Sequence, residues 1–390
     1  MELETDKKPL RQSSQQLRAV VISVISFVMI VGLLHKGLDS PIIPANLPII
    51  SPKYAYYQAH KDEYTALFFG SSRIYHQVDP LTFDAVAAKA GINVRSFNFG
   101  ISGLKPLQNY VLMRDVLKDP PARLKWVFIE DAIDRGSAPI DEVRSARAIY
   151  WHSWENTKFA IAFVLSHPYT PLLKKIEYTL GHLIPFVYHQ MNLGSAIAQY
   201  QPNLHISAED RAIAAQFLSR AGYRPIDFKM PKEQYFLENV AAYQQEVEQL
   251  AERKRQEDYQ DALTQHTLSY LNKIVTTVEA TDAQPVFVVA PTTVYQETIH
   301  RAFYQGKIEH LLTFNDPNLF PELFEPVSRK DWDHLNPQGA EAFTRLLAEA
   351  LVAQEEAQFI VAETTPMPAR RNNRQKTSSK RVGKSNARER

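Results

Sequence analysis

The stretch Lys330-Asp-Trp-Asp-His-Leu-Asn-Pro-Gln-Gly-Ala-Glu-Ala-Phe343 sets Asp331 three residues before His334 and is followed by a helix-forming run. At that spacing, on a turn or a single helical step, the two side chains can face the same way. The carboxylate can then hold one imidazole nitrogen and leave the other to accept a proton from a hydroxyl. Two other readings use the same residues. Asp331, Asp333 and His334 could serve as hard metal ligands, or the segment could simply cap the last helix. An acid–histidine pair needs a nucleophile and an oxyanion hole, and two sequence blocks offer them. Phe-Phe-Gly70-Ser71-Ser72-Arg73 ends an apolar run, and Asn98-Phe-Gly100-Ile-Ser-Gly103 ends another. Gly70 permits a tight strand-to-helix turn. A serine just after it can sit at a helix N-terminus, where N–H groups favour developing negative charge; capping is the plainer role for Ser71 and Ser72. Gly100 and Gly103 let backbone N–H groups come close to a substrate, as an oxyanion hole requires.

The elements that must position these residues are short apolar runs separated by helical ones. Tyr64–Gly70, Asn93–Gly100, Leu124–Asp131 and Gln284–Thr292 read as strands. The first, third and fourth are continuous and rich in β-formers, as strands buried on both faces are. Helical runs such as Pro106–Leu117 separate some of them. This alternation predicts an α/β fold with helices sandwiching a parallel sheet. Open sheets of this kind bind ligands at the carboxyl ends of their strands, which is where both glycine–serine blocks fall. From about 137 to 282 no strand is expected. That region reads as a helical insertion serving as a lid, a partner surface or a second membrane-facing element.

The chain has 390 residues, 45% of them hydrophobic and 22% charged, an ordinary globular composition. It contains no cysteine, which excludes disulfides and thiolate metal sites. The net charge of +1 is unevenly spread. Nine Lys or Arg residues and a single Glu lie within Pro366–Arg390, so the body is mildly acidic and the tail strongly basic. Residues 353–390 are expected to be a disordered tail able to contact an anionic polymer. Residues 1–18 are polar and basic. Ala19–Leu34 is an uncharged run of 16 residues, slightly short of the roughly 20 usual for a spanning helix; Arg18 and Lys36 can extend it by snorkelling. Residues 19–36 are therefore expected to be an uncleaved membrane anchor. The positive-inside rule puts 1–18 in the cytoplasm and the body outside, so no nucleic-acid partner is expected. Residues 37–60 contain Pro41, Pro44, Pro48 and Pro52 and read as an extended linker. The main domain is expected to span 61–352.

Taken in order, Phe-Phe-Gly-Ser-Ser-Arg, Asn-Phe-Gly-Ile-Ser-Gly and Asp-Trp-Asp-His-Leu-Asn-Pro-Gln-Gly-Ala before a final helix resemble the SGNH/GDSL hydrolase superfamily. The resemblance is to its membrane-anchored, extracytoplasmic branch, which includes D-alanyl-transfer and polysaccharide O-acylation proteins. It covers roughly residues 61–136 and 283–352. It implies a flavodoxin-like sheet, Ser72 as nucleophile with Ser71 in the place where the family often has Asp, Gly103 as an oxyanion N–H donor, and Asp331 and His334 as acid and base. The family usually has an asparagine oxyanion donor after the third strand; here Ile129–Asp134 contains none. The resemblance thus implies a serine esterase or O-acyltransferase, without cofactor, acting on an acylated glycan or lipid of the cell envelope. The alternative is an inactive scaffold that keeps the fold and binds a protein partner through its insertion.

Overall fold

The computed structural model describes residues 18–27, 29–30, 33, 47–130, 145–191, 208–256 and 259–364. The chain divides into two units, Met1–Val352 and Ala353–Arg390. The first contains a sheet of five parallel strands: β1 (Ala66–Phe69), β2 (Ser96–Asn98), β3 (Trp126–Glu130), β4 (Gln284–Val289) and β5 (Leu311–Thr313). Their order is β2-β1-β3-β4-β5, the order of flavodoxin-like sheets, in which the strand sequence reverses between β1 and β3. β5 is absent from the sequence expectation because its three residues are too few to show a pattern. β2 is shorter than expected, the residues before Ser96 lying outside the ladder.

Successive strand residues point to opposite faces, and each face packs its own core. Leu67, Phe69, Phe97, Val127, Ile129, Phe287 and Val289 pack on one side. They are covered by α1 (Ile50–His60), α4 (Pro106–Val116), α11 (Gln265–Glu279) and α12 (Glu297–Tyr304). Ala66, Phe68, Trp126, Phe128, Val286 and Val288 pack on the other. That side is covered by α2 (Ser72–Gln77), α3 (Pro80–Lys89), α10 (Val240–Arg255) and α13 (Pro337–Thr364).

Three boundaries differ from the sequence reading. Residues 353–364, expected within the disordered tail, continue α13 to Thr364, because Ala, Gln and Glu there favour a helix and no Gly or Pro interrupts it. Residues 50–60 are a helix, where an extended linker is expected; Ile50 and Tyr57 are buried against the sheet, and burial outweighs the prolines before and within its first turn. The insertion is also shorter than 137–282. Its last expected helix, α11, places Tyr270, Leu271, Ile274 and Val278 in the core, so it is the crossover helix between β3 and β4. Between β3 and α11 lie α5 (Ala146–Trp151), α6 (Trp154–Ser166), α7 (Leu172–Met191), α8 (Ala208–Leu218), α9 (Glu233–Glu238) and α10, with no strand among the described residues. The described part of the expected anchor, at 18–27, is helical with exposed side chains such as Val20, Ile22 and Phe27. Among the described residues no helix is long and apolar enough to cross a membrane. The polar N-terminus before residue 18, residues 28, 31–32 and 34–36 of the expected anchor, residues 37–46 of the expected linker and the basic tail from 365 lie outside the described residues.

Candidate active site

β1 delivers Gly70-Ser71-Ser72 to the carboxyl edge of the sheet. Ser71 caps α2, its hydroxyl accepting from the Arg73 N–H at 3.3 Å. Ser72 is the first residue of that helix, so its own N–H lies in the turn that has no intrahelical acceptor. The β-ladder pairs Phe69 with Ile129, which sets Glu130 beside Gly70. The space there is full: a Cβ on Gly70 would lie 2.7 Å from Glu130 Oε2 and 2.3 Å from Ile74 Cγ1. Glycine is needed because two side chains occupy the space a methyl group would take.

The acid and base arrive from the segment after β5. Arg329 and Leu335 form an antiparallel bridge, and Lys330 N–H donates to the His334 carbonyl at 2.8 Å, closing a tight loop around Asp331–His334. Asn336 caps α13 by accepting from Gly339 N–H at 3.0 Å. A Cβ on Gly339 would lie 2.3 Å from the Ser328 carbonyl oxygen, which accounts for the Asn-Pro-Gln-Gly run. The Arg329 guanidinium is buried under the loop and donates to the Trp332 carbonyl at 2.7 Å.

These two segments, more than 250 residues apart in the chain, meet. The Ser72 Oγ lies 2.8 Å from His334 Nε2. His334 Nδ1 lies 2.9 and 3.1 Å from the two Asp331 oxygens. Asp331 is 2% exposed, and its Oδ1 also accepts the N–H groups of Asp333 at 2.8 Å and His334 at 2.9 Å. Burial opposes its ionisation. The His334 hydrogen bond and charge, with the two backbone donors, outweigh burial and hold the carboxyl below its ordinary value. An ionised Asp331 fixes the proton on Nδ1, so Nε2 accepts from the Ser72 hydroxyl. Among the described residues no three His, Asp or Glu side chains converge as a metal would require, which leaves the metal reading of Asp331, Asp333 and His334 without a ligand set.

The second glycine block divides. Asn98 is fully buried and structural: its Nδ2 donates to the Ile74 and Val78 carbonyls, both at 2.7 Å. Its Oδ1 takes the Gly100 N–H at 2.8 Å. That N–H is therefore committed and cannot serve an oxyanion, contrary to the expectation for Gly100. Gly100 is glycine because a Cβ would lie 2.3 Å from Tyr75 N. Gly103 adopts φ 69° in the turn that follows, a conformation that favours glycine. The turn is tied to the end of β1 by Ile101 N–H donating to the Gly70 carbonyl at 3.0 Å, and to α2 through Ser102 and His76.

Several participants escaped the sequence reading. Glu130 stands at the end of β3, just before the segment in which the sequence has no asparagine. Its Oε2 accepts from the Ser71 N–H at 2.7 Å and the Ser71 hydroxyl at 2.8 Å, while Oε1 pairs with Arg73. The segment after it, Asp131–Asp134, lies outside the described residues. His76, four residues after Ser72, is buried; its Nδ1 donates to the Arg224 carbonyl at 2.7 Å, so its Nε2 accepts from the Ser102 hydroxyl at 2.9 Å. Burial pushes its pKa down to about 3, with the backbone bond opposing. Lys53, within the expected linker, is fully buried. Its Nζ donates to the Asn98 and Gly100 carbonyls at 2.9 and 2.7 Å and lies 4.0 Å from the Tyr75 ring centre. Burial holds its pKa well below the usual lysine value. A cavity of about 460 Å³ flanks the Asp331–His334 loop, lined by Lys232, Tyr235, Glu246, Thr293, Trp332 and Asp333 among others. Trp332 donates its indole N–H to Glu246 at 2.7 Å. Only Trp332 and Asp333, inside the Asp-x-x-His motif, could have suggested that cavity from sequence.

No family model matches this chain, and no curated protein matches it.

Proposed function

We propose that this chain is a serine esterase or O-acyltransferase of the SGNH/GDSL type, anchored to a membrane by the apolar run at 19–36, with its body outside the cytoplasm. The observation that carries the reading is the continuous hydrogen-bonded path from Ser72 through His334 to the buried Asp331. In this mechanism the Ser72 Oγ attacks the carbonyl carbon of an acyl ester as its proton moves to His334 Nε2. The imidazolium that forms is stabilised by Asp331. The N–H groups of Ser72 and Gly103 are the donors assigned to the oxyanion. Collapse of the tetrahedral intermediate breaks the ester C–O bond, and His334 returns the proton to the departing alcohol. An acyl-Ser72 remains. Water or a second hydroxyl, deprotonated by His334, then attacks it, giving hydrolysis or transfer.

The cavity beside Trp332 and Asp333 has space for the alcohol portion of such an ester. Its aromatic, carboxylate and ammonium groups suit an acylated glycan or the polar head of a lipid.

A fluorophosphonate probe tests this reading. The full chain should be labelled at Ser72, with labelling lost in Ser72→Ala. Absence of labelling in folded protein would favour an inactive scaffold whose helical insertion binds a partner.

A further inference from the structure

The helix α7 (Leu172–Met191) is amphipathic, but its faces are reversed relative to a helix of a water-soluble domain. Leu172, Leu173, Ile176, Leu180, Ile184 and Val187 are exposed, five of them at 73, 80, 50, 50 and 46% for Leu172, Leu173, Ile176, Leu180 and Val187. The steps 172, 176, 180, 184 and 187 follow the helical period, so the side chains form one continuous stripe. Two histidines of the same helix turn inward. His182 is buried and lies 3.0 Å from the buried His152, and His189 donates to the Ile149 carbonyl at 2.8 Å. Tyr169 and Trp154, exposed at 75 and 65%, add aromatic side chains from the neighbouring segments. Lys174, paired with Glu177, is the cation able to reach outward beside the stripe.

Either a second helix or lipid acyl chains can cover an apolar helical stripe, and the residues beside this one favour lipid. Exposed aromatic side chains and a flanking lysine are the usual company of helices lying in a bilayer interface. Covalent reach agrees. Only 13 residues separate Leu33, in the apolar N-terminal run, from Leu47, which is buried in the folded body. Fully extended, that connection spans at most roughly 50 Å, so a bilayer holding the run lies within reach of the body.

We propose that α7 lies in the plane of a lipid bilayer surface, with the Leu172–Ile176–Leu180–Ile184–Val187 stripe inserted among the acyl chains. This rests on the membrane run proposed at 19–36 and on the stripe, and not on Ser72 or its chemistry. In the protein it would set the body against the membrane at a second point besides the N-terminal run.

The absence of cysteine allows single labels. The full chain is reconstituted into phosphatidylcholine liposomes containing a minor fraction of phosphatidylglycerol. An environment-sensitive fluorophore is placed on Ile176→Cys, Leu180→Cys or, as a solvent-facing control on α10, Glu248→Cys. The proposal expects blue-shifted emission at 176 and 180, quenching there by nitroxide-labelled lipids and protection from iodide, with the reverse at 248. Iodide quenching without nitroxide quenching at 176 and 180 would overturn it, leaving the stripe in water. Protection from both quenchers would also overturn it, because a protein surface, a second copy or a partner, would then cover the stripe.

Discussion

Glu130 Oε2 accepts hydrogen bonds from both the backbone N–H and the hydroxyl of Ser71, the residue immediately before Ser72. The bond crosses from β3 to the end of β1, where the strand order reverses. Its companion oxygen holds Arg73, so one carboxylate ties down both neighbours of Ser72. Glu130→Gln keeps the volume but replaces one acceptor with a donor that faces Ser71 or Arg73. A displacement of about 1 Å at a reacting group costs on the order of 10²-fold. The variant should lose about that much in kcat on a small acetate ester and in its rate of fluorophosphonate labelling, while far-UV circular dichroism stays unchanged.

Asp331→Asn separates the electrostatic role of Asp331 from its structural one. The amide oxygen can still accept the N–H groups of Asp333 and His334, so the loop should hold its shape. The amide cannot stabilise an imidazolium, and it can present a donor to Nδ1, favouring the wrong tautomer. Ester turnover should fall by roughly 10⁴-fold, with little change in melting temperature.

His76 should shape the acid limb of stability. Its folded pKa of about 3 lies below that of the unfolded imidazole, near 6.5. Below that value the unfolded chain binds a proton that the folded protein refuses, so stability present above about pH 6.5 is lost as pH falls. His152, held down to about 3 by burial, acts in the same direction. Asp84 opposes them: burial raises its pKa to about 7, so it favours the folded state as pH falls through that range. Comparison with His76→Gln isolates one group. Between pH 7 and pH 5 the variant should lose about 2 kcal/mol less stability than the parent in urea titrations.

Trp332→Ala opens the wall of the cavity beside the Asp331–His334 loop and leaves Asp331 and His334 in place. An acyl ester with a bulky glycosyl alcohol should show a KM raised about tenfold, the equivalent of about 1.4 kcal/mol of lost contact. Turnover of p-nitrophenyl acetate, too small to reach that wall, should stay near the parental value. Equal losses on both substrates would indicate a disturbed loop instead.

Local chemistry in the sequence determined much of this protein. Continuous Phe, Val and Ile runs marked β1, β3 and β4, because strands buried on both faces leave no polar alternation. Glycine beside serine marked the strand-to-helix turn, and the Asp331–His334 spacing produced a pair whose nitrogen-to-oxygen distances are 2.9 and 3.1 Å. Tertiary structure alone decided the rest. It brought Ser72 and His334 to 2.8 Å, a meeting no local pattern encodes. It turned Asn98 inward, where its Nδ2 holds the distant Ile74 and Val78 carbonyls and its Oδ1 is left to take the Gly100 N–H. It drew residues 50–60 into a helix and Lys53 into the interior, where two carbonyls could satisfy the ammonium group. It also turned the apolar face of α7 outward, which helical periodicity cannot specify, because periodicity defines a face but not what that face meets.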